Sequence, residues 1–213
     1  MVAVSEESNR AVMLRTMLSG AREAIGKAVD PLARALLRTG ISANGITLLG
    51  LAGTIAAAVL IATGRFGVGA AVFIPSAFLD LFDGLIARRM GTSSRWGAFV
   101  DSVSDRMGES ALLIAVAYHF REAEPRTSVV ALAALACSYL VSYVKARAES
   151  LGFRCEGGFA ERPERAILLG IGLLLHVMEG AMWALAAVAT LTVVQRAAMV
   201  RRQAAAERPA SPG

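Results

Sequence analysis

Six apolar stretches dominate this chain, and they restrict its fold more than any other feature. They are Ile46–Thr63 (ITLLGLAGTIAAAVLIAT), about Gly67–Arg88, about Trp96–Phe120, about Ser128–Lys145, about Ala166–Met178 and about Ala181–Val194. A helix crossing a bilayer core needs about 20 mostly apolar residues, with a range of roughly 17–25. The first four approach that length. The fifth is short, and the last two also read as one broken hairpin. Hydrophobic residues make up 55% of the 213, and charged residues only 18%. That is too apolar for an ordinary soluble domain. The expected fold is all-α: a polytopic membrane protein with six transmembrane helices.

The formal net charge is +5. A basic balance alone suits nucleic acid or an anionic membrane surface. The apolar blocks decide for the membrane, and no nucleic-acid partner is expected. Lys and Arg then give the orientation. Arg10, Arg15, Arg22, Lys27, Arg34 and Arg38 precede the first stretch, and Arg88, Arg89 and Arg95 follow the second. Lys145, Arg147, Arg154, Arg162 and Arg165 follow the fourth, and Arg196, Arg201, Arg202 and Arg208 follow the sixth. The opposite side holds Arg65, Arg121 and Arg126. Six spans with this bias put both termini on the cytoplasmic side of a cell membrane. The first residues, MVAVSEESNRAVM, lack the basic-then-apolar order of a signal peptide.

Three regions are expected. Residues 1–45 form an N-terminal arm. Within it Ile25, Val29, Leu32, Leu36 and Leu37 fall near one helical face, which predicts an amphipathic helix on the interface. Residues 46–196 form the six-helix domain. Residues 197–213 form a basic tail, read as disordered. Cys137 and Cys155 fit neither a disulfide framework nor a zinc site.

Within this apolar chain stand Asp80, Asp83, Asp101 and Asp105. On a helix, residues three or four apart share a face, so each pair points one way. The loop between them is short enough for the pairs to meet. Acids at membrane depth are costly and are functional candidates. Four converging carboxylates favour a hard divalent cation held by oxygen, Mg²⁺ or Mn²⁺, and two ions would balance four charges. The plain alternative is interfacial charges paired with Arg88, Arg89 and Arg106. Four acids at this spacing, with Gly84 and Gly97 allowing close approach, favour the metal. Arg88, one turn beyond Gly84, can reach a phosphate, and metals beside an arginine suit pyrophosphate chemistry.

A second constellation is basic. Lys145 and Arg147 end the fourth stretch beside Ser142, Arg165 begins the fifth, and Arg196 ends the sixth. Topology alone explains any one of them. As a set with a hydroxyl they suit a phosphate on an acceptor.

The run Asp80, Asp83, Gly84, Ala87, Arg88, Gly97, Asp101, Asp105 resembles the signature of the CDP-alcohol phosphotransferase family, D-x2-D-G-x2-A-R-x8-G-x3-D-x3-D, at every fixed position. The resemblance spans roughly Asp30–Arg196. It implies a six-helix membrane enzyme with an interfacial N-terminal helix, often a homodimer, that moves a phosphatidyl or related group from a CDP-linked donor to an alcohol and releases CMP. It implies two Mg²⁺ (or Mn²⁺) ions on Asp80, Asp83, Asp101 and Asp105, with Asp105 also the general base. It implies CDP-diacylglycerol contacts from Asn44, Gly45, Ile46 and Thr47, and from Gly84, Arg88 and Ser94. DPLARALLRTGIS, SYVKARAE and ERPER resemble actinobacterial members whose acceptor is inositol 3-phosphate, which implies that Ser142, Lys145, Arg147, Arg165 and Arg196 hold the acceptor phosphate. Glycerol 3-phosphate is the alternative acceptor. A membrane binding module or a transporter is the alternative outside enzymes. A transporter would place its charges near the bilayer midplane, on broken helices in paired repeats; no repeat is visible here.

Overall fold

The computed structural model describes residues 42–89, 94–155, 157–159 and 161–206, with the backbone alone for residues 81–89. These residues form six helices: α1 (Ala43–Ala62), α2 (Phe66–Arg89), α3 (Arg95–Phe120), α4 (Pro125–Ser150), α5 (Arg162–Leu175) and α6 (Met178–Ala206). Each expected apolar stretch is a helix, and α5 and α6 are separate elements. Three of the six, α1, α4 and α6, are long and apolar enough to cross a membrane. In α2 the apolar part is Phe66–Asp80. The interfacial helix expected in the N-terminal arm lies outside the described residues.

Local chemistry sets the helix ends. Ser42 and Ser94 stand at the N-caps of α1 and α3, where their hydroxyls accept from the amides of Gly45 (3.2 Å) and Gly97 (2.9 Å). Such caps satisfy amides that have no partner within the helix. Proline opens α4 and α5, where its missing N–H costs nothing. Pro163 helps start α5 at Arg162, four residues before the apolar stretch begins. His176 ends α5 in the left-handed conformation, at φ 55°.

The tail needs correction. Residues 197–206 continue α6 as helix rather than disorder. Gln203 explains part of this. Its amide nitrogen donates to the Arg154 carbonyl (2.6 Å), and its Oε1 accepts from the Arg154 amide (2.9 Å). The loop after α4 is thereby tied to the end of α6. Cys155, in a stretch that reads as polar loop, is fully buried there.

The helices close a ring in the order α1–α2–α5–α6–α4–α3 and back to α1. Small residues let α1 approach its neighbours. A Cβ on Gly53 would stand 2.2 Å from Ser76 Oγ, and one on Gly50 would stand 3.2 Å from the Ser76 carbonyl. Apolar side chains fill one end of the ring: Ala57 and Ile61 of α1, Phe73 of α2, Leu113 and Val116 of α3, Leu173 of α5, and Met182 and Leu185 of α6. At that end His119 packs edge-on against Phe66, 4.8 Å between centroids. The acids lie towards the other end.

Candidate metal centre and active site

Asp80 comes from α2, and Asp101 and Asp105 from successive turns of α3. Each offers a carboxylate oxygen, and the three oxygens lie within 4.8 Å of one another. Asp80 is buried, and Asp101 and Asp105 are half-buried. The cluster forms because α1 packs against both α2 and α3 and holds them side by side. The side chains of Asp83, Gly84 and Arg88 lie outside the described residues.

Among the described residues, one cation enters the cluster closely. Arg162, the first residue of α5, sets one guanidinium nitrogen against Asp80 Oδ2 and another 2.8 Å from Asp105 Oδ1. Burial opposes its charge. Its contact with Asp80 and the fields of Asp105, Asp80 and Asp101 outweigh that and hold its pKa above the usual guanidinium value. Arg106 lies farther off, 3.5 Å from Asp105 Oδ2, and gives one N–H to the Ser102 carbonyl (2.8 Å). Of the sequence-based candidates for pairing these acids, the side chains of Arg88 and Arg89 lie outside the described residues, and Arg162 is a closer partner than Arg106.

The three carboxylates fit a divalent ion. Asp80 Oδ2 and Asp105 Oδ1 are buried and accept no well-directed hydrogen bond, although Arg162 is their charge neighbour. Buried carboxylate oxygens are costly without directed partners. The charge count agrees. Among the described residues Glu109 is taken by Arg165, which leaves Arg162, and Arg106 at the edge, facing three aspartates. Oxygen-only donors of this charge suit Mg²⁺ or Mn²⁺.

Next to this cluster lies a cavity of about 200 Å³, lined by Arg106, Ser142, Lys145, Arg162, Arg165 and Arg196, among others. It unites four of the five expected acceptor-phosphate residues. Each is held differently. Arg165 is 5% exposed and forms a forked pair with Glu109, Nε–Oε1 at 2.7 Å and Nη2–Oε2 at 3.0 Å. Arg196 is buried and donates to the carbonyls of Val141 (2.7 Å) and Gly157 (3.2 Å). Lys145 is 4.0 Å from Glu149. The fifth, Arg147, does not line the cavity. It is exposed, and its guanidinium is 3.5 Å from Ser150 Oγ. At 100° per residue, Ser142 and Lys145 share a face of α4 and Arg147 turns away from it.

The expected donor contacts converge elsewhere on the site. Asn44, Gly45, Ile46 and Thr47 form the first turn of α1. A Cβ on Gly97 would stand 3.2 Å from both Asn44 Oδ1 and Ser94 Oγ. Ile46 and Thr47 are buried, and the Thr47 hydroxyl donates to the Ala43 carbonyl (3.1 Å). Asn44, Gly45 and Ser94 therefore gather where two helix N-termini meet, a place that favours phosphate.

Two residues escaped the sequence reading. Arg162 was counted only as a topology charge, although it precedes the Pro-Glu-Arg run that carries Arg165. Glu109 left a usable signal: it follows Asp105 by four residues, as Asp105 follows Asp101, so all three share one face of α3.

Comparison with known proteins agrees with this geometry. The family profile described as CDP-alcohol phosphatidyltransferase matches residues 40–200. The phosphatidylinositol phosphate synthase of Mycobacteroides abscessus is 38% identical over 192 residues, which cover 84% of this chain and 86% of that one. The synthase of the same name from Mycolicibacterium smegmatis is 36% identical over 206 residues, 90% and 91% of the two chains. Among solved structures, Mycobacterium tuberculosis phosphatidylinositol phosphate synthase in complex with manganese and citrate has a TM-score of 0.75 at 34% identity, covering 86% of this chain and 94% of that one. The same enzyme with CDP-diacylglycerol bound has a TM-score of 0.74 at 34% identity, covering 84% and 97%. The profile takes in every described helix that supplies the aspartates and the basic cavity, and on that match the chain belongs to the CDP-alcohol phosphatidyltransferase family.

Proposed function

We propose that this protein transfers the phosphatidyl group of CDP-diacylglycerol to inositol 3-phosphate and releases CMP. The carrying observation is the cavity that holds Ser142, Lys145, Arg165 and Arg196 and shares Arg162 and Arg165 with a smaller aspartate chamber of about 50 Å³, lined also by Asp80, Asp105 and Glu109. An acceptor with its phosphate among those groups puts its hydroxyls towards Asp105. The relatives named for phosphatidylinositol phosphate favour inositol over glycerol.

In this reading Asp80, Asp83, Asp101 and Asp105 hold two Mg²⁺ ions, with Mn²⁺ as a substitute. Bound there, the metal screens the pyrophosphate and stabilises charge that develops on it. The nucleotide end sits at Asn44–Thr47, Gly84, Arg88 and Ser94. An apolar groove of about 330 Å³ between α2 and α5, lined by Phe73, Phe78, Ile167, Ile171 and Leu174, begins at Arg162 and suits an acyl chain. Asp105 takes the proton from the acceptor hydroxyl. That oxygen attacks the phosphorus bearing diacylglycerol, the pyrophosphate P–O bond breaks, and the electron pair leaves with CMP. Six spans, cytoplasmic termini and active site, an interfacial N-terminal helix, a catalytic domain over residues 46–196 and a homodimer complete the proposal.

The test is an acceptor panel given to purified enzyme with CDP-diacylglycerol and Mg²⁺. Each charge-assisted hydrogen bond to a phosphate is worth about 1.5–3 kcal/mol, so inositol 3-phosphate should far exceed unphosphorylated inositol. Preference for glycerol 3-phosphate would replace the acceptor assignment. Equal use of plain inositol would remove the phosphate site.

A further inference from the structure

Arg162 borders three spaces at once: the aspartate chamber, the apolar groove and the basic cavity. Its guanidinium lies on the oxygens of Asp80 and Asp105 that also fit a divalent ion. The two cations compete for those oxygens, because their like charges repel at contact distance. Metal arriving there pushes the guanidinium away.

Arg162 is built to be the one that moves. Its partners among the described residues are the carboxylates of Asp80 and Asp105, the groups a metal would also take. By contrast, Arg165 is forked onto Glu109, Arg196 is fixed to two carbonyls, and Arg106 is bonded to the Ser102 carbonyl. Exposure also separates it from two of these: the side chain of Arg162 is 40% exposed, against 5% for Arg165 and 4% for Arg196. Its backbone is held at the start of α5, ahead of Pro163, so the side chain can swing while the helix stays. The basic cavity is the polar space open to it.

We propose that Arg162 is a displaceable counter-cation: it balances the aspartate cluster while no metal is bound, and metal binding drives it into the basic cavity, where it becomes an additional contact for the acceptor's phosphate. This rests on the metal and acceptor assignments above. It makes metal loading and acceptor binding cooperative, and linkage requires each to raise the affinity for the other by the same factor.

The test is binding rather than turnover. Free Mn²⁺ is measured by electron paramagnetic resonance over the full-length protein in nanodiscs, with and without inositol 3-phosphate. Wild type should show positive coupling of about tenfold. Arg162→Gln should bind Mn²⁺ about tenfold more tightly without acceptor, since the competing charge is gone, and its coupling should fall at least about threefold. Arg162→Lys keeps the charge but cannot bridge two carboxylates, so its Mn²⁺ affinity should lie between the two, which keeps the test alive if the Gln variant does not fold. Mn²⁺ affinity and coupling equal to wild type in the variant that folds overturn the proposal. A wild-type protein that binds no Mn²⁺, or an Asp101→Asn variant that binds it as wild type does, overturns instead the metal assignment beneath it.

Discussion

The two ends of this helix ring are built from the same six helices by opposite rules. At one end Ile61, Val116, Leu173 and Met182 bury aliphatic surface against one another, and almost any well-fitting apolar set would serve. At the other end Asp80, Asp101, Asp105, Glu109, Arg162 and Arg165 meet within the same ring. There Asp80, Asp105 and Glu109 each face a named cation. The apolar end holds the helices at fixed distances. The polar end uses that rigidity to keep carboxylates together against their repulsion. Stability and chemistry are thus separated along the bundle axis, and perturbing each end should give a different signature.

Metal removal should break the contrast most completely. Chelation is expected to abolish turnover while helix content by circular dichroism is unchanged, and Mg²⁺ or Mn²⁺ should restore activity. Full activity in verified metal-free enzyme would rule out the metal assignment. Asp105→Asn comes next. Loss of the general base should lower kcat by about 10²–10⁴-fold, with no loss of thermal stability because one of several crowded carboxylates has become neutral. Near-wild-type turnover would show that Asp105 is not the base.

Leu173→Ala tests the other end. Leu173 is fully buried, and truncating such a leucine costs about 2–5 kcal/mol. A lower midpoint of thermal unfolding is expected, with kcat and both KM values of the folded fraction within about twofold of wild type. A large change in either KM would mean that the two ends are coupled after all.

The smallest effects divide the basic residues. Arg165→Ala should raise the KM for the phosphorylated acceptor at least about tenfold and the KM for CDP-diacylglycerol much less. It also leaves Glu109 half-buried without its partner, so some loss of stability should accompany it. Arg147→Ala should change the acceptor KM by less than about twofold, since Arg147 faces away from the cavity. Equal effects from both variants would mean that the basic residues act as a general field rather than as a pocket.

The sequence by itself determined the segments and the acids. Apolar runs specify helices through local composition, and all six were legible to within a few residues at most ends. Asp101 and Asp105 were legible as a pair because their spacing falls within a helical turn, where sequence separation converts directly into a shared face. The same rule would have placed Glu109 beside Asp105 and set Arg147 apart from Lys145.

Only the tertiary structure decided which cation meets which carboxylate. Arg162 lies 57 residues beyond Asp105 in the sequence and reaches it because α5 closes the ring against α2. Gln203 likewise holds Arg154 across a separation of 49 residues and turns an expected tail into helix. Such pairings depend on how whole helices pack, and packing sums many weak contacts spread along the chain. No local spacing encodes that sum, so positive charges that look alike in the sequence divide into a forked anchor, a carbonyl-bound strut and a cation on the aspartates only once the ring is closed.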